Sequence, residues 1–443
     1  MKLQLSDHFT YGKLLQFTLP SIVMMIVSSL YSVVDGLFVS NFVGKTSFAA
    51  VNLIMPFLGV FSAFGMMIAT GGTALVSKTL GMGDRKKANE LFSMLLTVCV
   101  VGGAFLTVFS IILMRPVAIL LGGEGQVLED AVIYGVIVQL ALIGYYFEFT
   151  FQSFGVAAEK PGLPLIMSIV SGVGNIVLDA LFVAVFRWGI IGAAAATAIS
   201  NFIGPMIPLI YFLRPNDSLL RFTKFKFDWK ALLHTCTNGV SELMGTLSGS
   251  LSGMLYNLQL LQYAGENGLA AHGVMMYVNH IFAAVYCGFA IGSAPLIGFN
   301  YGAENHREQK NLFKKCLVIL GGIGLCMFVS AELLAIPLAK IFVGYDENLV
   351  AMTVRGLCIY APVFLLCGFN VFGSSMFTAL NNGLVSGAIS FFRTLICQVA
   401  AILILPPLLK LDGVWISSAA AELCALLLVL FCFIKYRRKY HYA

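Results

Sequence analysis

The sequence predicts an all-α polytopic membrane protein with twelve transmembrane helices in two six-helix lobes related by a parallel repeat. Three observations carry this prediction. The chain is 59% hydrophobic and only 11% charged, whereas soluble domains carry about 25% charged residues. Its apolar runs exceed the roughly 18 residues needed to cross a bilayer as a helix, and they lack the alternation of barrel strands. A constant shift of 221 residues, as from Gly44 to Gly265, superimposes the halves without a gap from about Gly44 to Ala198.

Breaks in the apolar runs place the first six helices at 14–39, 49–79, 91–114, 127–158, 163–186 and 190–213. The second six fall at 233–263, 269–300, 312–334, 349–379, 384–405 and 413–436. The first run follows Lys2 and Lys13 and contains Pro20 and Asp35. It continues as a full span, so it is read as a retained helix rather than a signal peptide. Pro20 frees a backbone carbonyl and makes that helix a candidate hinge. The polar stretch 214–230 is the one long connection. It divides the chain into an N-lobe (1–213), a linker (214–230) and a C-lobe (231–443).

The repeat is marked by residues that set turns and close approaches. Gly44, Gly71, Gly81, Gly103, Gly123, Gly135, Gly162 and Gly192 meet Gly265, Gly292, Gly302, Gly324, Gly344, Gly356, Gly383 and Gly413, and Pro116 meets Pro337. Eight of the 20 glycines between 44 and 198 land on glycine; with 44 Gly in 443 residues, chance gives about two. An even number of spans per half makes the repeat parallel, with its pseudo-two-fold axis along the membrane normal.

Lys and Arg set the orientation. The connections on the N-terminal side hold most of the 27, including Arg85-Lys86-Lys87, Lys224, Lys226, Lys230 and Arg437-Arg438-Lys439. The opposite connections hold Lys45, Arg115, Arg187, Lys340 and Lys410. Both termini are expected in the cytoplasm. The net charge of +6 therefore belongs to loops beside a lipid bilayer and does not indicate nucleic-acid binding. The ten cysteines mostly fall within apolar runs and lack metal-ligand or redox spacing, so they read as small buried hydrophobes. No phosphate loop, Asp-rich Mg2+ motif or paired catalytic His and Asp is present, so an enzyme is not expected.

Intramembrane acids point to function, because a charge in hydrocarbon costs several kcal/mol unless paired, protonated or facing water. Asn175 and Asp179 stand four apart in the fifth span, on one helix face. At the repeat shift Asp35, Tyr134, Asn175, Asp179 and Thr197 face Tyr256, Arg355, Ile396, Ala400 and Ser418. The first lobe thus owns an oxygen-rich set that the second lacks. If these helices converge, two carboxylates share a cavity that can hold a proton, or Na+ among amide, hydroxyl and phenol oxygens. Glu242 and Glu148 are candidate substrate-facing acids for a cationic compound. Glu332, Arg393 and Glu422 are further intramembrane charges; Glu332 reads as a residue at the mouth of its helix, and His272 and His280 as polar packing.

At these residues the sequence resembles a known family. The first helix with its loop (20–45), the GMGDRKKA loop from Gly81 to Ala88 and the GIIGAAAAT run from Gly189 to Thr197 are similar to segments of the multidrug and toxic compound extrusion (MATE) family. The NIVLD run of Asn175 to Asp179 resembles the fifth-helix motif of its DinF-like and MepA-like bacterial branches, and YGAENHREQ, from Tyr301, is a degenerate repeat copy of the loop. The resemblance implies two six-helix lobes around a central cavity and a monomer in the bacterial inner membrane. It implies antiport of small organic substrates against Na+ or H+, with no cofactor. It also implies a cation site at Asp35, Asn175, Asp179 and Thr197, with Tyr134 a weaker match. A related flippase of lipid-linked precursors is the alternative. That reading is expected to show a more basic cavity.

Overall fold

The computed structural model describes residues 3–443. The first half contains α1 (Tyr11–Phe38), α2 (Lys45–Gly81), α3 (Arg85–Leu120), α4 (Gly125–Leu140), α5 (Leu142–Ala157), α6 (Gly162–Asp179) and α7 (Gly189–Leu213). The second contains α8 (Trp229–Gly302), α9 (His306–Val343), α10 (Glu347–Tyr360), α11 (Pro362–Ala379), α12 (Gly383–Phe391) and α13 (Gln398–Tyr440). Short π-helical turns follow α1 (Val39–Val43), α6 (Ala180–Val185) and α12 (Phe392–Cys397).

These elements resolve into the twelve expected spans. At 74 residues, α8 would measure about 110 Å if straight, far more than a bilayer. Gly265 (φ 59°, ψ −147°) reverses it into two arms. Lys410 (φ 56°, ψ −134°) does the same in α13. Both sit at repeat images of first-lobe reversals, Gly265 at that of Gly44 (φ 118°) and Lys410 at that of Gly189 (φ 60°). Glycine adopts these angles freely, whereas lysine does so at a cost of about 1–3 kcal/mol. The fourth span is α4 and α5 bent by 53° at Ala141. Among the described residues, splitting α8 and the α12–α13 rod and joining the bent pair gives twelve crossings.

Local chemistry explains the loop geometry. Asp84 caps α3 by accepting from Lys87 N, and its repeat image Asn305 caps α9 by accepting from Glu308 N. Gly83 and its image Glu304 both take left-handed angles (φ 81° and 53°). The degenerate YGAENHREQ copy therefore keeps the turn of GMGDRKKA despite losing its second glycine.

The lobes meet along α2 and α8, the most extensive helix contact, with α1 packed beside them on α8. Glycines form this seam at the end that carries both termini. A Cβ on Gly71 would lie 2.1 Å from Thr235 O, on Gly81 2.0 Å from Phe299 O, on Gly239 2.0 Å from Met67 O, and on Gly302 2.0 Å from Lys78 O. Such approaches exclude every other residue. Further along, Gly36 of α1 and Gly249 and Gly253 of α8 have nothing within 4 Å of a built Cβ.

Candidate cation and substrate sites

Helix α6 buries one stripe: Ser168, Ser171, Gly172, Asn175 and Asp179, spaced as neighbours on one helical face. Gly172 lets the Tyr31 ring of α1 close in, since a Cβ there would come within 2.8 Å of Tyr31 Cδ1. Gly204 of α7 likewise packs onto Ser171 and Met167. Small residues thus draw α1, α6 and α7 together, and Asp35 meets Asn175 and Asp179.

The result is a cavity of about 280 Å³ lined mainly by the first lobe, with Asp35, Tyr134, Asn175, Thr197, Tyr31 and Tyr145, and bordered by Thr246 of α8. Thr197 Oγ1 donates to Asp35 Oδ1 at 3.5 Å and to Ala193 O at 3.1 Å, and Tyr134 lies beside Thr197. Asp179 and Asn175 approach the Asp35 carboxyl group. Both Asp179 oxygens and Asn175 Oδ1 nevertheless lack a well-formed hydrogen bond, although Asp179 is fully buried. Elsewhere in this lobe the buried Asp130 is satisfied by Ser47 Oγ and Gln126 Nε2, both at 2.6 Å. The Asp35–Asp179 pair is a concentration of acceptors without matching donors, an arrangement that a cation or a proton completes. Among the described residues no three His, Cys, Asp or Glu side chains cluster to hold a metal.

Asp35, Tyr134, Asn175, Asp179 and Thr197 are thus brought to one place. Glu148 is buried behind them; its Oε1 accepts from Tyr31 OH at 3.5 Å and its Oε2 has no partner. It is not among the residues lining the cavity between the lobes. Glu242 is: it lines an interlobe cavity of about 260 Å³ with Met25, Met66, Phe149, Cys287 and Arg393. Pro20 lies within α1, which stays helical from Tyr11 to Phe38 and takes its π-helical turn only beyond Asp35.

The sequence named Arg393 and Glu422 as intramembrane charges but did not pair them. Arg393 Nε donates to both Glu422 oxygens at 2.9 and 3.0 Å, Asn370 Nδ2 donates to Glu422 Oε2 at 2.6 Å, and all three are buried or nearly so. Opposite charges in the eleventh and twelfth spans were the available signal. Nearby, Tyr256 OH and Ser418 Oγ are 2.8 Å apart, and Gln398 Nε2 donates to both.

The MatE family profile matches residues 20–181 and 243–403, one segment in each lobe. The chain belongs to the MatE family. Among curated MATE proteins it is similar to the multidrug export protein MepA of Staphylococcus saprophyticus, with 26% identity over 440 residues covering 95% of this chain and 93% of that one. The MepA of Staphylococcus haemolyticus is 25% identical, covering 94% and 92%. Among solved structures, an outward-facing multidrug-resistance MATE transporter of the MOP superfamily superimposes with a TM-score of 0.92 at 21% identity, covering 97% of each chain. That last likeness concerns the MATE fold.

Proposed function

We propose that this protein is a cation-coupled antiporter that exports small, cationic amphipathic compounds from the bacterial cytoplasm by alternating access. Its basic end, with both termini, then faces the cytoplasm. The observation that carries this reading is the Asp35–Asp179 pair, in which the fully buried Asp179 leaves both oxygens without a hydrogen bond, and whose repeat images are Tyr256 and Ala400. A site that gains a cation loses its internal repulsion, so its helices prefer different packing when loaded and when empty. Asp35 and Asp179 carry the coupling ion, Na+ or H+, and Asn175, Thr197 and Tyr134 supply neutral oxygens. Glu242, the acid facing the interlobe cavity without an ion pair or hydrogen bond among the described residues, attracts the substrate cation. Glu148 supports Tyr31 and influences substrate from behind the cation cavity. The name of the MepA relatives as export proteins agrees with this direction of transport, and the flippase reading gains nothing from the family match.

The test is dye efflux from proteoliposomes under an imposed Na+ gradient and, separately, an imposed pH gradient, for wild type, Asp35→Asn and Asp179→Asn. One gradient drives the wild type, and both variants lose the dependence. Full gradient-driven efflux in both variants would sink the coupling role.

A further inference from the structure

Residues 3–10, which precede α1, run across the basic end and dock on the second lobe. Leu5 and Phe9 are fully buried in its core cluster. Glu308, in the first turn of α9, holds the segment twice: Oε1 accepts from Phe9 N at 2.9 Å, and Oε2 lies 2.6 Å from His8 Nδ1. One α-helical turn further, Asn311 Nδ2 donates to Phe9 O at 2.9 Å; Lys315 Nζ donates to the same oxygen at 2.5 Å and lies over the Tyr11 ring. Leu5 N donates to Glu159 Oε1, in the first lobe, at 2.7 Å. The segment is stitched to both lobes beside the glycine seam.

The repeat holds a mirror of this arrangement. Residues 218–228 precede α8 and dock on the start of α3 in the first lobe. Arg221 N donates to Asn89 Oδ1 at 2.9 Å, Thr223 N to Ser93 Oγ at 2.9 Å, and Lys87 Nζ to Asp228 Oδ2 at 3.2 Å. Lys87 is the repeat image of Glu308. Each lobe therefore grips the segment that leads into the other lobe's first helix. The linker segment joins α7 to α8; residues 3–10 run into α1 and are held to the second lobe by these contacts and by Asn300 Nδ2, which donates to Leu5 O at 3.5 Å.

We propose that residues 3–10 form a strap that keeps the basic end shut, that Glu308 is its catch, and that the cation site is linked to it through α1. The strap runs directly into α1, and α1 carries Asp35. A shift of α1 when the site loads pulls on the strap, and release of the strap frees the foot of α1. By linkage, a ligand that favours one position of α1 must be affected equally by whatever holds that position. This rests on the alternating-access reading above.

The experiment uses the full chain in lipid nanodiscs. Amide exchange is followed at Leu5 and Phe9. Opening of the seam is followed by maleimide labelling of Ser77→Cys, a buried position on α2 beside Gly298, read by peptide mass spectrometry so that native cysteines are told apart. In the Glu308→Ala background, exchange and labelling are expected to rise about tenfold, and Asn311→Ala should raise both less. Adding Na+ or a proton should change exchange in the Ser77→Cys protein, and Asp35→Asn should abolish that response. Unchanged exchange and labelling in folded Glu308→Ala overturns the strap, and a response that survives Asp35→Asn overturns its link to the cation site. If Glu308→Ala does not fold, Asn311→Ala decides the first point. Proteoliposome efflux by the parent protein separates these outcomes from failure of the transport reading: a parent that transports while the variants behave like it refutes the strap alone.

Discussion

The two lobes answer the problem of buried charge in opposite ways. In the first, Asp35 lines a cavity with amides and hydroxyls, and Asp179, packed against the Asp35 carboxyl group, leaves both oxygens without a hydrogen bond. In the second, Tyr256 stands at the position of Asp35 and spends its hydroxyl on Ser418, the image of Thr197. Apart from Glu242 on the interlobe cavity, the second lobe buries Glu422, the image of Asn201, and Arg393, the image of Gly172, neutralises it from within. One lobe leaves room for an outside cation and the other carries its own as a guanidinium. On the proposed reading, the duplicated fold has one responsive half and one fixed half.

The largest effect should come from the responsive half. Asp179→Asn is expected to lower gradient-driven efflux at least tenfold, with little loss of thermal stability, because it removes a charge the fold leaves unpaired. Retained coupling would erase the contrast between the lobes. Next comes the fixed half. Arg393→Leu strands a buried carboxylate and should cost about 3 kcal/mol or more, whereas Arg393→Leu with Glu422→Leu should recover most of that. A thermal shift in lipid reads both, and a double variant as damaged as the single one would point to a role beyond pairing. Glu242→Gln should weaken export of cationic dyes several-fold while sparing neutral ones and the ion dependence; equal losses for both dye classes would remove Glu242 from substrate contact.

The smallest effect is at the linker. Asp228 caps α8 by accepting from Ala231 N and pairs with Lys87; in that order the two contacts hold its carboxyl below the usual aspartate range. A lowered folded value gives stabilisation that is full above the unfolded pKa of about 3.9 and fades as pH falls through the folded value. Asp228→Ala should therefore cost about 1 kcal/mol near neutral pH. The difference from wild type should begin to shrink below about pH 4 and close as pH falls through the lower folded value. Most of it comes from the cap, because the ion pair is part-exposed and screened. A difference that persisted in acid would mean that the side chain acts through packing.

Much of this was legible in the sequence, for identifiable reasons. Bilayer-length hydropathy fixes the spans, and the glycine repeat fixes their pairing into lobes. Asn175 and Asp179 announce a site because their spacing is local to one helix and their repeat images are apolar. The bend at Ala141 and the π-helical turns were not legible, since both depend on how neighbouring helices press on an ordinary apolar run. The Arg393–Glu422 pairing depends on the rotation of two helices about their own axes, which composition does not encode. The docking of residues 3–10 escaped for a further reason: its donors include backbone amides, and a backbone amide has no letter in the alphabet.

The glycine seam has a mechanical consequence. Where Gly81 meets Phe299 and Gly302 meets Lys78, the lobes touch main chain to main chain, with Lys78 Nζ over the Tyr301 ring and Asn381 Nδ2 donating to Ala74 O beside them. At the glycines themselves the faces part without any rotamer having to turn. They are equally intolerant of debris: one methyl group between them acts as a wedge. A molecule small enough to lodge there when the faces part would block their return at the end that carries both termini.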